Sequence, residues 1–261
     1  MKIEIIIPAY NCCATLGRTL SSLESQTDND FYVHVIDDCS TEDISNIIKE
    51  HKNLNIRLTR NEQNLGCGMS RQVGIDYTDA DYIAFLDSDD MLMPYTVETW
   101  RNMATGASNI DVFHSYFLEQ TIIDGHPSML LRKDGHTWCH GKLYKTAFIK
   151  KWDIRNSPDV KYADDSFFNS MCTELGEYAE IPIAMYLWTN NLESITRKAN
   201  TQFETDAPFD FIHAMRLSVQ FVKSKGIKEL KYLKNTIKNI EKFIDKADER
   251  SKDEFKLLKE V

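Results

Sequence analysis

The sequence predicts an α/β protein: a doubly wound, mostly parallel sheet with helices on both faces, followed by a helical C-terminal extension. Apolar runs rich in β-branched residues alternate with amphipathic stretches through residues 1–105. Such alternation is typical of parallel strands joined by right-handed helical crossovers. Acidic residues directly follow two of the apolar runs, and a helical pattern begins at Phe209.

The elements of the first half are predicted from apolar spacing and from local start and stop signals. The segment 2–9 is expected to be a buried first strand, which Pro8 ends because proline cannot donate to a sheet. Thr15 is placed to cap the first helix, and Pro94 suits the first turn of a later one. Further strands are predicted at 31–36, 56–59 and 82–86, and helices at 15–26, through 44–48, at 69–76 and at 94–104.

The second half has a looser pattern. We expect one domain over 1–206, with halves at 1–105 and 106–206, and a helical extension over 207–261. In the extension, Gly226 divides two helices, and an apolar stripe lies opposite lysines. The stripe contains Ile227, Leu230, Leu233, Ile237, Ile240 and Ile244. The other predicted elements are strands at 110–120, 128–132 and 181–188, helices near 138–150 and 164–175, and a loop at 189–200.

Composition limits the possible functions. The chain of 261 residues can bury a full core, and its net charge of −9 disfavours a nucleic-acid groove as the main feature. The charge is uneven, since residues 207–261 hold 13 Lys and Arg against 9 Asp and Glu. No apolar run is long enough to cross a bilayer and no signal-peptide pattern is present, so a cytoplasmic location is expected. The six cysteines lack disulfide or zinc spacing and are expected to be reduced thiols.

The strand predicted at 82–86 is followed by Asp87, Ser88, Asp89 and Asp90. Open α/β sheets bind ligands at the carboxyl ends of their strands. Asp87 and Asp89 are two residues apart, so their side chains lean the same way, and a cation would relieve their repulsion. Carboxylate oxygens suit Mg²⁺ or Mn²⁺ and leave coordination sites for phosphates. The alternative is a solvated loop in which Asp90 caps a helix.

A second acidic pair, Asp37 and Asp38, follows the strand predicted at 31–36. Because both strands are expected to be parallel, the two acidic groups are predicted to share one edge of the sheet. The alternative for this pair is a helix N-cap. The turn at 64–68 contains two glycines, which permit a loop to press against a ligand.

These segments carry a family resemblance when they are taken together. In chain order they are Ile-Ile-Ile-Pro-Ala-Tyr-Asn at 5–11, Val-Ile-Asp-Asp-Cys-Ser-Thr at 35–41, Asn64-Leu65-Gly66 with Arg71, and Phe-Leu-Asp-Ser-Asp-Asp at 85–90. Their order and separations resemble the family 2 inverting glycosyltransferases with the GT-A fold. Looser support comes from segments 138–144 and 162–168, and from Tyr186-Leu187-Trp188 with Ser194-Ile195-Thr196.

The resemblance implies transfer of a hexosyl or N-acetylhexosaminyl group from a nucleotide-diphosphate sugar, with uridine as the expected nucleoside. It assigns donor binding to 1–105 and the acceptor side to 106–206, with Asp38 accepting a hydrogen bond from the base. The residues implied to bind the nucleotide sugar are Pro8, Ala9, Tyr10, Asn11, Asp37, Asp38, Asn64, Gly66, Arg71, Asp87 and Ser88. For Arg71, a solvated or ion-paired surface position is the alternative.

The resemblance also implies the catalytic groups. Asp89 and Asp87 would hold Mn²⁺ or Mg²⁺, which would stabilise the diphosphate as it leaves. An inverting displacement needs a base opposite the leaving group, and Asp165 is the candidate, with Asp164 orienting it. The family commonly has Glu-Asp where this chain has Asp164-Asp165, and often Asn where it has Gly141.

Several further side chains could take part. Trp138, Trp188 and Tyr162 could stack on a sugar ring, although large aromatic residues more often fill cores. His136 and His140 could reach the metal or the acceptor, although most single histidines do neither.

Other functions are weighed against this one. A dinucleotide-dependent oxidoreductase is disfavoured because the loop after the first strand has no glycine fingerprint. A nucleotidyltransferase would usually carry a basic, glycine-rich phosphate loop there, and that loop is also missing. A glycosyltransferase-like module that binds without turnover stays open. The acceptor is expected to be a glycan, a lipid-linked or another hydroxyl compound.

The basic tail allows three interpretations. Its helices could pack on the body or on a second subunit as a homodimer, lie on the inner face of a membrane, or contact a polyanionic acceptor. Nucleic acid is the least favoured partner.

Overall fold

The computed structural model describes residues 1–133, 136–191 and 201–261. Strands and helices alternate through the first half, as predicted. The strands are β1 (Ile3–Ala9), β2 (Tyr32–Asp37), β3 (Ile56–Arg60), β4 (Tyr82–Phe85), β5 (Met91–Leu92), β6 (Val112–Ile123), β7 (His126–Arg132), β8 (Lys142–Lys145) and β9 (Tyr178–Trp188). The helices are α1 (Leu16–Glu24), α2 (Ser45–Glu50), α3 (Cys67–Tyr77), α4 (Thr96–Gly106), α5 (Thr146–Trp152), α6 (Asp164–Leu175), α7 (Thr201–Ser224), α8 (Leu233–Glu241) and α9 (Glu249–Glu260), with a 3₁₀ turn at Ile244–Lys246.

The strands form one sheet in the order β3-β2-β1-β4-β8-β6-β9-β5, with β7 paired to β6. The strands β1 to β4 are mutually parallel, as expected for strand-helix-strand units. Beyond them the sheet is mixed, because β8 runs antiparallel to both β4 and β6 while β9 runs parallel to β6. The doubly wound pattern therefore describes β1 to β4, and a mixed region completes the sheet.

Strand β1 is fully buried and extends one residue beyond Pro8. Proline is tolerated there because the ladder between β1 and β4 ends at Ile6 and Phe85, so no donor is needed from residue 8 on that side. On the other side, Ala9 still accepts a hydrogen bond from the Asp38 N–H at 2.8 Å.

The prediction of a helix near 138–150 is wrong in its first part. The chain forms the four-residue strand β8 before helix α5 begins at Thr146. Strand β8 fills the gap between β4 and β6, so its conformation is decided by long-range pairing rather than by local spacing. The helix at 164–175 was predicted correctly and is α6. Most of the predicted loop at 189–200, including Ser194 to Thr196, lies outside the described residues.

The apolar residues form two clusters on the two faces of the sheet. Ile5 and Ile7 belong to the cluster that contains α1 and α4, whereas Ile6 faces the cluster that contains α6 and the C-terminal helices. Helices on both faces match the predicted fold class. In the part of the chain that the structure describes, no helix is long and apolar enough to cross a bilayer.

The C-terminal helices differ in their limits from the prediction. Helix α7 begins before Phe209 and runs across the predicted domain boundary at 206, which stays a prediction. The expected second helix starts only at Leu233, because the N–H groups of residues 231–233 donate to the Glu174 carboxylate at the end of α6. Leu233, Phe255 and Leu258 are buried against the body of the protein.

Candidate active site

The two acidic groups lie at one edge of the sheet. Strand β1 is paired in parallel with β2 on one side and with β4 on the other, so the carboxyl ends of these strands point the same way. Asp37 is the last residue of β2, and Asp87 follows β4 by two positions. The topology therefore brings both predicted groups to the edge where parallel sheets bind ligands.

Arg71 connects the two halves of this edge. Its guanidinium, on a side chain only 4% exposed, lies 2.6 Å from the Asp87 Oδ1 and 2.8 Å from the Asp164 Oδ2. It also forms an ion pair with Asp165. The alternative of a solvated Arg71 is therefore wrong, whereas pairing with acids is what the structure shows. One cation joins carboxylates that lie far apart in the sequence.

Helix α3 delivers Arg71 because it packs closely on α6. A Cβ placed on Gly68 would lie 2.7 Å from the Asp164 Cβ, which is closer than atoms of two side chains can approach. Glycine at position 68 therefore allows the two helices to approach, and Arg71 lies one turn further along α3.

Asp165 is held from two sides. Its Oδ1 pairs with Arg71, and its Oδ2 accepts the Cys139 N–H at 3.1 Å. The Asn169 side chain donates to the Asp165 carbonyl at 2.9 Å. Asp164 and Asp165 form the first turn of α6, where the N–H groups of a helix favour negative charge.

Asp87, Asp90 and His140 could hold a metal ion. Each offers one ligand atom, and these atoms all lie within 4.8 Å of one another. The His140 Nε2 is 3.7 Å from the Asp87 Oδ2, and its Nδ1 is buried with no hydrogen-bond partner in the described residues. Two carboxylates and an imidazole are a donor set that fits a divalent cation such as Mn²⁺.

This grouping differs from the predicted pair. Asp89 was expected beside Asp87, but Asp89 is not in the group, and its Oδ2 accepts from the Asn191 side chain at 2.8 Å. His140, by contrast, was one of two candidate histidines. The ring of the other, His136, packs at a tilt against the rings of His114 and Tyr232 instead.

Asp90 does not cap a helix. Its Oδ2 accepts from the Tyr186 hydroxyl at 2.6 Å, and its Oδ1 accepts the Thr189 N–H at 2.8 Å. Helix α4 begins only at Thr96. The capping alternative for Asp90 is therefore wrong, and the carboxylate is instead fixed against β9. Tyr186 belongs to a segment with looser family resemblance, but no local sequence signal predicts that Tyr186 and Thr189 bind Asp90, because that contact depends on sheet pairing.

The pair Asp37–Asp38 also does not cap a helix, since α2 begins at Ser45. The Asp37 Oδ1 accepts the Ser40 N–H at 2.9 Å, and the Oδ2 pairs with Arg60. Asp38 is buried and accepts three hydrogen bonds, each of 2.8 Å, from the Asn61 side chain and from the N–H groups of Leu65 and Gly66. Asp38 therefore positions the loop that contains Asn64 and Gly66.

The loop after β1 lies beside this pair. The Asn11 Oδ1 accepts the Thr41 N–H at 2.8 Å, and the Asn11 N–H donates to the Ser40 hydroxyl at 3.0 Å. Tyr10 is 50% exposed at the open edge, whereas Pro8 and Ala9 are buried in the strand. Ser88 contributes its carbonyl to the Thr19 hydroxyl at 3.0 Å.

Aromatic rings from residues 106–206 cluster around His140. Trp138, His140 and Trp188 have ring centroids 5.3 to 6.2 Å apart, and Phe117 packs edge-on against His140. Trp138 and Trp188 are partly exposed, so they can offer ring faces to a ligand. Tyr162 packs instead against Phe203 in an edge-on contact.

Burial and charge shift several pKa values. Burial would raise the pKa of Asp87, but Arg71 and His140 outweigh it, so that pKa lies well below its usual range. Burial and the charge of Asp87 raise the pKa of Asp90 to about 7. Burial also raises the pKa of Asp164 to about 7, with Arg71 acting against the rise. The site therefore combines carboxyl groups of very different proton affinity, which is common where acids do chemistry.

Comparison with known proteins places this geometry in a family. The model of glycosyl transferase family 2 matches residues 4–155, which is more than half of the chain. The poly(ribitol-phosphate) β-N-acetylglucosaminyltransferase TarS of Staphylococcus aureus is 26% identical over 88% of this chain. The chain spans only 42% of the length of TarS. The Escherichia coli β-1,3-glucosyltransferase WfaP, which is named for UDP-Glc and α-D-GlcNAc-diphosphoundecaprenol, is 30% identical over 46% of this chain and 48% of its own length.

Solved structures share the fold. The crystal structure of TarS residues 1–349 with UDP-GlcNAc superposes with a TM-score of 0.70, at 23% identity over 85% of this chain and 66% of TarS 1–349. A mannosyltransferase of Pyrobaculum calidifontis with GDP-Man and Mn²⁺ superposes with a TM-score of 0.59, at 12% identity over 98% of this chain and 72% of its own. The predicted GT-A type of fold is thereby confirmed. Since the family model covers more than half of the sequence, the chain belongs to glycosyl transferase family 2.

Proposed function

We propose that this protein is an inverting glycosyltransferase that moves a hexosyl or N-acetylhexosaminyl group from a UDP-sugar to an acceptor hydroxyl. The observation that carries the proposal is Arg71, which binds Asp87 of the donor side and Asp164 and Asp165 of the acceptor side. In a direct displacement the acceptor hydroxyl attacks the anomeric carbon from the face opposite the leaving diphosphate. The base for that hydroxyl and the groups that hold the diphosphate therefore have to lie close together, and their shared contact with Arg71 supports this.

The donor nucleoside would bind at the edge formed by the ends of β1 and β2. TarS has been solved with UDP and UDP-GlcNAc, which supports uridine as the base. Tyr10 and Asn11 would flank the base, and Asp37 and Asp38 would lie beneath it. A carboxylate can accept about four hydrogen bonds, so Asp38 keeps acceptor capacity for a base N–H beside its three bonds to the protein.

The remaining donor-side residues would line the sites of the nucleoside, the ribose and the diphosphate. Pro8 and Ala9 shape the floor of the nucleoside site, while Asn64 and Gly66 belong to the loop that Asp38 fixes. Asp87 and Ser88 would lie against the ribose and diphosphate. Because Asp87 stays ionised through its contact with Arg71, it suits a position beside a cation.

A divalent cation, Mn²⁺ or Mg²⁺, fits the acidic residues at this edge. Asp87, with Asp90 and His140, would hold it, and Asp89 is the alternative carboxylate ligand. When bound, the cation supplies positive charge that stabilises the leaving diphosphate. Asp87, Asp89, Asp90, Asp164 and Asp165 outnumber the positive charge of Arg71, so a cation would also relieve their repulsion. The Mn²⁺ in the mannosyltransferase structure is consistent with this choice.

Asp165 would take the proton from the acceptor hydroxyl, and Asp164 would orient it. The ion pair with Arg71 and the bond from the Cys139 N–H fix the carboxylate of Asp165. Each oxygen still has a free lone pair for a hydroxyl group. Burial raises the pKa of Asp164 to about 7, so this neighbour of Asp165 can gain or lose a proton near neutral pH.

The acceptor class is proposed from the relatives and from the aromatic side of the site. TarS is named for poly(ribitol-phosphate) and WfaP for a diphosphoundecaprenol-linked sugar, so a glycan, a polyol phosphate or a lipid-linked glycan are the candidate acceptors. Trp138 and Trp188 would stack on the acceptor. Contact with the inner face of a membrane or dimer formation through the basic C-terminal helices stay proposals.

A screen of nucleotide sugars tests the function. Thermal melting is measured with UDP-GlcNAc, UDP-glucose and GDP-mannose, each with Mn²⁺ or with EDTA. We expect a UDP-sugar with Mn²⁺ to stabilise the fold, by about 2.7 kcal/mol at 100 times its dissociation constant. The stabilising donor is then incubated with candidate acceptors, and release of UDP is followed.

Each alternative function has its own outcome in this screen. Stabilisation without transfer to any acceptor and without hydrolysis would identify a binding module that lacks turnover. Nucleoside triphosphates are added to the same screen, and stabilisation by them instead of by diphosphate sugars would identify a nucleotidyltransferase.

A further inference from the structure

Asp210 lies on helix α7 directly behind the acidic pair Asp164–Asp165. It is 6% exposed, and its carboxylate accepts the N–H groups of the three residues that precede α6. The distances to its Oδ2 are 3.0 Å from Lys161, 2.6 Å from Tyr162 and 2.8 Å from Ala163, and its Oδ1 is 3.2 Å from the Lys161 nitrogen. A residue 47 positions downstream of Ala163 thus binds the start of the helix that carries the acids.

This carboxylate binds the backbone that leads into a helix without a capping side chain. A side chain at the N-cap usually accepts one of the first N–H groups of a helix. In α6 the N-cap is Ala163, which has no side-chain acceptor. Asp210 binds the N–H of Ala163 itself and those of the two residues before it. Bonds to a charged acceptor are shorter and roughly twice as strong as neutral ones, so α7 holds the chain firmly where α6 begins.

The acids are consequently held between two charged groups. Arg71 binds the carboxylates of Asp164 and Asp165 from the cleft, and Asp210 binds the backbone behind them. Moving either group would shift the acids relative to the donor edge. Asp210 also places a negative charge at the positive end of the α6 dipole, where such a charge is favoured.

We infer that Asp210 is a positioning residue for sugar transfer: through the three N–H groups before α6 it holds the start of that helix, and with it Asp165, in place. This inference rests on the proposed role of Asp165 as the base. It gives the C-terminal helices a part in the reaction, because α7 supplies the group that aligns the acceptor side.

The variant that tests this is Asp210→Asn, which keeps the size of the side chain but removes its charge. Asp206→Asn is the matched control, since Asp206 lies one turn earlier on α7 and pairs with Arg250 at the surface. We expect Asp210→Asn to lower kcat by up to about 100-fold, the loss typical of a catalytic group misplaced by about 1 Å. UDP affinity and the KM for the donor should stay unchanged, and Asp206→Asn should behave like the wild type.

The split between kcat and KM separates positioning from a merely structural role. A displaced base lowers kcat, whereas the KM for the donor and the UDP affinity should keep their wild-type values because the donor edge is unchanged. An unchanged kcat in a folded Asp210→Asn protein would overturn the inference. Parallel loss of kcat, UDP affinity and thermal stability would also overturn it, because that pattern indicates general damage.

Amide hydrogen exchange gives a readout that needs no activity. The N–H groups of Lys161, Tyr162 and Ala163 should exchange faster in Asp210→Asn than in Asp206→Asn, and unchanged exchange would overturn the inference. The proposed base is tested separately with Asp165→Asn. If that variant keeps full turnover, the assignment of the base fails. If Asp165→Asn is inactive while Asp210→Asn has wild-type activity, only the positioning inference fails.

Discussion

Arg71 shows how a single side chain organises this site. A buried guanidinium loses its hydration, and it regains that energy only through close partners with good geometry. Here it has three carboxylates, from the loop after β4 and from the first turn of α6. The sequence identified each of these acids as a candidate. It could not show that they share one cation, because that contact depends on how α3 and α6 pack.

The proposed base is tested at the level of one atom. In Asp165→Asn the side-chain oxygen can still accept the Cys139 N–H, but the carboxylate that would take the proton from the acceptor hydroxyl is gone. We expect turnover to fall by a factor of about 100 to 10,000, the usual contribution of a general base. UDP-sugar affinity, measured by calorimetry, should stay nearly constant because the donor edge is unchanged. A wild-type rate in this variant would remove Asp165 from the mechanism.

A second residue-level prediction concerns His34, which is fully buried on β2. Burial, with a smaller effect from Arg57, lowers its pKa to about 4. The unfolded chain would bind the proton at its ordinary pKa of about 6.5, so between these values the unfolded state holds more protons than the folded one. Stability is therefore expected to fall as pH drops from about 6.5 to about 4, by roughly 3 kcal/mol.

Urea unfolding at several pH values measures this effect. His34→Gln serves as the comparison, because glutamine can still bond to the Thr59 hydroxyl but does not titrate. Between pH 4 and 6.5 the unfolding free energy of the wild type should fall more steeply with decreasing pH than that of His34→Gln, because only the wild type has the titrating imidazole. Parallel slopes in the two proteins would contradict the prediction.

At the level of elements, the local apolar pattern predicts some strands, whereas other strands form only through long-range pairing. Strands β1, β2 and β4 were predictable because a buried parallel strand is a continuous apolar run, and acids at the end of such a run stand out. Strand β8 was not, because four residues carry too little pattern and their strand conformation comes from pairing with β4 and β6. The same limit hid the contacts with Asp90 that Tyr186 makes from β9 and that Thr189 makes directly after it.

The contact between α3 and α6 yields the element-level prediction. Gly68→Ala adds a Cβ 2.7 Å from the Asp164 Cβ, so one helix has to move. We expect a loss of about 1–3 kcal/mol in unfolding free energy. Transfer activity should fall further than stability explains, because the shift separates Arg71 from Asp164 and Asp165. Circular dichroism in urea and the transfer assay measure the two effects.

The control for this prediction is Gly106→Ala at the end of α4. A Cβ at Gly106 meets no atom within 4 Å, so it should leave activity unchanged and preserve or slightly raise stability. If both variants behave alike, close approach of α3 and α6 does not determine the geometry of the site.

For the whole molecule, the C-terminal helices extend one of the two cores. The sequence predicted them as an extension with three possible uses, and their apolar stripe indicated that they pack on something. The structure shows α7, α8 and α9 contributing Met215, Leu233 and Phe255 to the cluster that also contains Ile6 of the first strand. Helix α6 is bound at both ends by this region, since Asp210 holds its start and Glu174 near its end caps α8.

Two neighbouring leucines on α9 test whether this region folds together with the sheet. Leu258 is 2% exposed and Leu257 is 45% exposed, so the pair differs in burial on the same turn of one helix. We expect Leu258→Ala to lower the unfolding free energy by about 2–5 kcal/mol, and Leu257→Ala to lower it by only a few tenths of a kcal/mol.

Leu258 shares a core with the first strand. Unfolding of Leu258→Ala should therefore shift to lower urea concentration as one transition. That transition should be the same by far-ultraviolet circular dichroism and by fluorescence of the tryptophans, which include the buried Trp100 in the opposite cluster. A separate early transition that leaves the fluorescence unchanged would instead identify residues 207–261 as an independently folding extension.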